Sequence, residues 1–372
     1  MSEKNTSITQ CFSQLSDYRY QNVQHSLNNI LTISLCASIS GADDWVEIEL
    51  WGLANQEWLA TFLDLAHGIP SHDTFGRVFR HINAEEFEDY FMMWTRHLAE
   101  ITQGEVVAID AKQLRGSKDG ELGKKGIWIV SAWASENQLI LAQEKVADKS
   151  NEITAIPVLL KLLDIEGAIV TLDALNCQTE IAAAIVAQNA DYILTVKGNQ
   201  DWLYQDIQST FSAQFTLENA SYAHQVSKGH GRLEIRQCWA IDQIGTIKHL
   251  RNWEKWVNLK TIVRVDAERR IGDESSTETR YFISSLAANA DVLLSAIRSH
   301  WQIENKLHWV LDIAFREDHS RVRKDHAPHN LAIIRHIALN LLKQDQSLRV
   351  GIKAKRKRAG WDKNYLRHIL RL

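Results

Sequence analysis

Prolines are scarce in this 372-residue chain, three in all, so no Pro-rich linker marks a joint between domains. Cysteine is equally thin. Cys11, Cys36, Cys177 and Cys238 stand far apart without Cys-x-x-Cys spacing. That pattern argues against a zinc module or a disulfide framework and suits a reducing, cytoplasmic setting. No apolar run reaches bilayer length, since the longest, around residues 30–39, is broken by polar residues. A basic stretch followed by an apolar one is missing at the N-terminus, so no secretory signal is expected. Internal repeats and low-complexity segments are missing as well. So is any excess of positive charge: a net charge of -4 does not by itself mark a nucleic-acid binder.

What is present is apolar material and an uneven charge distribution. Hydrophobic content of 45% and 13 tryptophans can supply a substantial core. The length exceeds that at which one core usually stops growing, which predicts a large domain with smaller attachments. Residues 1–100 carry a net -9, residues 101–297 a net -5 and residues 298–372 a net +10. This asymmetry suggests a polyanion-binding C-terminal end on an acidic body. Its densest stretch is Lys353, Lys355, Arg356, Lys357 and Arg358. A merely solvated basic tail over 344–372 is the alternative.

Periodicity divides the chain further. Residues 1–100 are helical in pattern, over 27–38, 45–65, 73–82 and 85–98, with Ser71 or Asp73 placed to cap the third stretch. From Glu105 the texture changes. Short apolar runs of strand type end at Ile109 and Leu172, two more cover 126–134 and 138–146, and another covers 191–196. Helical patterns lie between them at 152–163, with Asn151 as a cap, and at 178–187. This order predicts an α/β fold, a mixed sheet flanked by helices. Alternating segments at 232–240, 260–265 and 279–285 predict a β-rich insertion over about 200–288, before helical periodicity returns at 290–314 and 327–343.

Asp110 and Asp173 each close an apolar run and each is followed by Ala. Neighbouring parallel strands ending together would place both carboxylates at one sheet edge, where open α/β folds build their sites. Carboxylates brought close repel unless a cation lies between them, and hard oxygen ligands suit Mg²⁺. The candidate third acid is Glu304. On a helix His300, Glu304, His308 and Asp312 form one polar stripe, with Ile303, Leu307, Val310 and Ala314 on the apolar side. Such a stripe could equally be a solvated face. A zinc set of His300, Glu304 and His308 is a further alternative, without the spacing that marks zinc enzymes. Glu317 and Asp318 compete for the third place but fall past the expected helix end.

Several motifs then occur in order: Ile69-Pro-Ser-His-Asp-Thr-Phe-Gly-Arg77, Ala108-Ile-Asp-Ala-Lys-Gln-Leu-Arg-Gly-Ser117, Lys149-Ser-Asn-Glu-Ile153 and Thr171-Leu-Asp-Ala174. They continue as Asp191-Tyr-Ile-Leu-Thr-Val-Lys-Gly-Asn-Gln200, His300-Trp-Gln-Ile-Glu-Asn305, Phe315-Arg-Glu-Asp318 and Asn330-Leu-Ala-Ile-Ile-Arg335. With these motifs the chain resembles, over essentially its whole length, the H-repeat-associated family of insertion-sequence DDE transposases.

The resemblance implies a ribonuclease-H-like catalytic domain over 101–343 containing the β-rich insertion, a transposase-associated helical domain over 1–100 and a basic tail over 344–372. It makes Asp110, Asp173 and Glu304 the catalytic, metal-holding acids, with two Mg²⁺ ions expected and Mn²⁺ able to substitute. The reaction implied is cleavage of insertion-element ends and strand transfer into target DNA, by a homodimer in a synaptic complex. A nuclease without strand transfer and a silent DNA- or protein-binding relic are the rival readings. Related groups place Tyr, Arg and Lys around the glutamate, where this chain has Ile297, His300 and Leu311. Arg298, His300 and Lys306 are therefore candidates to replace them at phosphate. Lys112, Arg115, Lys197, Asn199 and the five basic residues of 353–358 complete the candidate DNA contacts.

Overall fold

The computed structural model describes residues 8–19, 23–98, 101–119, 123, 125–146, 152–212, 218–229 and 231–372. Asn151 and the start of the motif at Lys149 lie outside these residues.

A nine-stranded sheet forms the backbone of the molecule. Its strands are β1 (Val106–Gln113), β2 (Trp128–Ala134), β3 (Leu139–Val146), β4 (Ile169–Leu172), β5 (Asp191–Val196), β6 (Ser221–Gly229), β7 (Arg232–Ile241), β8 (Thr261–Ile271) and β9 (Glu274–Ser284). The spatial order is β3-β2-β1-β4-β5-β9-β8-β7-β6. β1, β4 and β5 run parallel and all other neighbours are antiparallel. The mixed sheet flanked by helices expected from the sequence is present, and its first five strands take the 3-2-1-4-5 order of ribonuclease-H-like folds. The strands of the region read as β-rich join this same sheet. β9 pairs with β5 through Ile193↔Ser284 to Val196↔Tyr281, so strands 221–284 prolong the same sheet.

Parallel strands covered on both faces are near-continuously apolar. β4 (Ile-Val-Thr-Leu) is buried at all four positions. One face packs against helices Glu152–Leu162, Thr179–Val186 and Asp201–Ser212. Across the other face lies the helix Ala290–Gln302, capped by the Asn289 side chain on the Val292 amide.

The helical N-terminal region packs into the rest of the chain. Ser26, Asp44 and Ser71 cap the helices Leu27–Ile39, Trp45–Ala54 and His72–His81 with side-chain oxygens, so of the two residues expected for the third, Ser71 is the cap. These helices surround Ala327–Gln344, in which every residue from Ala327 to Leu342 is buried. Asn340 in this helix both donates to the Ile140 carbonyl and accepts from the Ile140 amide, each at 2.9 Å, on the open edge of β3. An unpaired strand edge invites association, and this contact closes part of it.

The basic C-terminal stretch is the clearest correction. Residues 352–361 and 363–370 are helices packed into the same core, not a tail. Lys355 and Arg356 point inward and are buried. Lys355 donates to the carbonyls of Leu342 and Asp345 at 2.8 and 2.6 Å. Arg356 donates to the carbonyls of Ser38, Ala42 and Ala314 and pairs with Asp43 at 2.8 Å. Helix C-termini leave carbonyls without partners and carry partial negative charge, so buried cations satisfy both needs. Lys355 and Arg356 are therefore not DNA contacts, while Lys353, Lys357 and Arg358 face outward. Among the described residues no helix is long and apolar enough to cross a membrane.

Candidate active site

The β1–β4 register places the two aspartates. Val106 faces Ile169 and the pairing runs in step to Ile109 opposite Leu172. The next residues in that register are Asp110 and Asp173, on strands about 4.8 Å apart. Side-chain alternation puts both on the face crossed by the helix Ala290–Gln302. Only β4 ends here. β1 continues three residues past Asp110, so that carboxylate rises from inside a strand and Asp173 from the first residue beyond one. The expectation that both strands end together is corrected to that extent.

Glu304 arrives from the third side. The helix Ala290–Gln302 passes into a π-helical turn, Ile303–His308, and then into the helix Trp309–Ala314. A π turn holds one extra residue, and such turns recur at functional sites. The extra residue shifts the phase of the helix beyond it, so Leu311 rather than Val310 takes the buried place. The expected polar stripe consequently splits. Glu304 keeps 59% of its side-chain exposure while His308 keeps 5%, so this is not a wholly solvated face.

His308 Nδ1 lies 3.2 Å from Glu304 Oε2 and 3.6 Å from Asp110 Oδ2. One ligand atom from each of Asp110, Glu304 and His308 falls within 4.8 Å of the others. This donor set fits a divalent cation: two carboxylates suit Mg²⁺, and the imidazole also suits Mn²⁺. Asp173 sits beside the set. Its Oδ1 accepts from the Asn176 amide and side chain at 3.2 and 2.9 Å, and Oδ2 has no donor among the described residues. His300 lies near the acids but offers no ligand atom to that set, so the zinc set of His300, Glu304 and His308 is not assembled. It bonds Thr171 Oγ1 at 2.9 Å instead.

Burial and the two histidines set the electrostatics of the site. Burial pushes the Asp110 carboxyl above its ordinary range, and Asp173 adds to the rise, while His308 and His300 oppose it. The hydrogen bond from His308 lowers Glu304. Burial lowers His300. A cavity of about 410 Å³ opens over these groups, lined by Asp110, Asp173, Glu304, His300, Lys197 and Arg280 among others.

The other candidate residues divide clearly. Lys112, on the same face as Asp110, is locked between Asp312 and Glu317, the latter at 2.7 Å, and its charge is consumed inside the protein. Glu317 is buried; burial alone would raise it, but Lys112 and Arg335 hold it at about 2, so it is a structural partner and not a rival third acid. Arg115 keeps 77% side-chain exposure beside Asp318. Lys197 is exposed at the cavity. Asn199 donates to the Ala174 carbonyl at 2.6 Å and so braces the loop after Asp173. Arg298 is exposed and Lys306 is half-buried. His308, which enters the sequence reading only as part of the polar stripe and in the zinc alternative, and Arg280, absent from it, are the residues sequence reasoning missed. Arg280 could have been found from the alternation of Glu278, Arg280 and Phe282 along β9.

Family models and sequence relatives agree with one another. The Transposase DDE domain model matches residues 101–341, and the model of its associated region matches residues 9–95. YncI of Escherichia coli O157:H7 is 39% identical over 370 residues, covering 98% of this chain and 94% of that protein. The H repeat-associated YhhI of Escherichia coli K12 is 38% identical over 368 residues, 96% of each chain. Both carry transposase in their names as a provisional description. Among solved structures, a chain of the cryo-EM piggyBac transposase synaptic complex with hairpin DNA aligns at a TM-score of 0.45 and 10% identity, over 98% of this chain and 77% of that one.

Proposed function

This chain belongs to the transposase DDE domain family, and on that premise we propose that it cleaves DNA at the ends of an insertion element and joins the freed 3′-hydroxyl to target DNA. The observation that carries the reading is the in-register pair Asp110 and Asp173 facing Glu304 across one cavity. Divalent metal ions, Mg²⁺ with Mn²⁺ as substitute, would be held by Asp110, Asp173 and Glu304 and would supply charge neutralisation at the phosphodiester and activation of the attacking oxygen.

The chain's own residues supply positioning. His308 holds the Glu304 carboxylate toward Asp110. Asn176 fixes one oxygen of Asp173 and leaves the other for the cavity. Lys197 and Arg280 bring positive charge to the same cavity, where a phosphate oxygen would sit. His300, tied to Thr171, sets the end of the crossing helix and hence the height of Glu304 above the sheet. A homodimer would hold two terminal repeats at once.

The test is cleavage of DNA carrying candidate terminal repeats, with and without Mg²⁺, by the native protein and by Asp173→Ala. Cleavage that requires metal and disappears in the variant is expected, and equal cleavage by both proteins would sink the assignment. Incubation with a plasmid then separates a transposase from a simple nuclease: the transposase yields products joined through the 3′ end.

A further inference from the structure

A duplex cleaved at the carboxylate cavity needs a path across the protein, and its course here rests on the DNA-cleaving function proposed above. Strand alternation puts Arg232, Glu234 and Arg236 of β7, Arg269 of β8 and Ser276, Glu278 and Arg280 of β9 on one face of the sheet. It is the face that carries Asp110 and Asp173. The inner half of this surface is apolar: Cys238, Ala240, Val263, Val265 and Phe282 pack beneath Leu293, Leu294 and Ile297 of the crossing helix. β7, β8 and β9 run on past that helix, and their outer half stays uncovered as a groove of about 780 Å³. Arg280, Phe282, Ile297 and Trp301 line both this groove and the carboxylate cavity, so the two are continuous.

The charge of the groove is unlike that of the region that builds it. Residues 101–297 are net negative, yet the groove is lined by Arg232, Arg236, Arg269, Arg280 and Arg298 against Glu234, Glu268 and Glu278. The carboxylates are shared or committed. Glu234 serves both Arg232 and Arg236, at 3.1 and 2.6 Å, Glu278 pairs with Arg280, and Glu268 pairs with Arg270. Among the described residues Arg269 and Arg298 have no carboxylate within 4 Å. Arg298 reaches only Gln225, at 2.7 Å. Burial and then the neighbouring Arg236 lower the Arg298 guanidinium. Guanidiniums gathered with too few carboxylates are relieved by phosphate, whose oxygens match their fork of donors.

We propose that this groove is the track for the sugar-phosphate backbone of duplex DNA leading away from the carboxylate cavity, with Arg232, Arg236, Arg269, Arg280 and Arg298 making the phosphate contacts. These contacts position the duplex without reading its bases, so the affinity they add is independent of sequence and falls steeply with salt.

The experiment is fluorescence anisotropy of a labelled duplex of arbitrary sequence with the full chain in EDTA, from about 50 to 200 mM salt. The Arg269→Gln/Arg298→Gln double variant is expected to reduce the slope of log affinity against log salt by about 2, near 0.9 for each phosphate no longer neutralised. Its affinity at the middle of that range is expected to fall at least tenfold. The Arg269→Lys/Arg298→Lys variant keeps the charges and is expected to retain most of the slope. Native protein that binds while the glutamine variant shows unchanged affinity and slope overturns the track and leaves the transposase reading standing. A lysine variant as weak as the glutamine one also overturns it, because a phosphate track depends on charge. Native protein that binds no duplex at any salt overturns both readings.

Discussion

His308 shows how one side chain can be dull in the sequence and central in the fold. Alone on a helix it belongs to a stripe shared with Glu304 and Asp312; in three dimensions it is buried and meets two carboxylates from different elements. If it is part of the cation set, His308→Ala should weaken Mn²⁺ binding about tenfold or more, the usual scale for loss of a ligand or its orienting partner. Electron paramagnetic resonance of free Mn²⁺ against protein concentration measures this without any DNA, and unchanged binding would remove His308 from the set. Asp110 and Asp173 were legible at this scale, because an acid closing an apolar run is a local pattern. Glu304 was legible through the family motif, since periodicity alone left it on an ambiguous stripe. The partners of Lys112, by contrast, come from residues 312 and 317, some two hundred positions away, and no local pattern encodes them.

At the scale of elements, the basic run 353–358 is the instructive case. In the sequence it is a dense positive patch. In the fold it is a helix whose inward face, Lys355 and Arg356, serves carbonyls at the ends of other helices, while Lys353, Lys357 and Arg358 remain outside. Arg356→Met should lower stability by about 3 kcal/mol or more, because it strands Asp43 and several buried carbonyls. Lys357→Met should change it by less than about 0.5 kcal/mol. Urea unfolding of the two variants side by side checks the contrast, and equal midpoints would contradict the buried assignment. Gly116 is a second element-level constraint: a Cβ there would lie 1.9 Å from the Ser320 carbonyl oxygen, so Gly116→Ala should separate the loop after β1 from the 317–320 turn. The expected result is a lowered Tm in calorimetry, and native-like melting would show that the two loops tolerate separation.

Across the whole molecule, acid sensitivity follows from a histidine in the central helix. Burial holds His336 at about 3, against an ordinary value near 6.5, so it is neutral in the fold. Below about pH 6.5 the unfolded chain takes up a proton that the folded one refuses. Stability should therefore be fully present above that pH and decline as pH falls toward 3, by up to roughly 1.4 kcal/mol per unit from this group. His336→Gln should flatten that part of the stability profile in urea titrations at successive pH values. A profile of identical slope would mean that His336 is not buried neutral.

Composition, strand and helix periodicity and ordered motifs determined the α/β class and the main strands and marked the two aspartates as candidates, because each depends on residues close together in the chain. The β-rich insertion was visible as strands, but its fusion to the main sheet was not, since β9–β5 pairing joins residues about ninety positions apart. Only the tertiary structure decided which charges are free. Of the expected DNA contacts, Lys112, Lys355 and Arg356 are consumed inside the protein, while arginines scattered from 232 to 298 line one groove. Charge in a sequence is a sum, whereas binding depends on where uncompensated charge meets solvent, and folding alone assigns that.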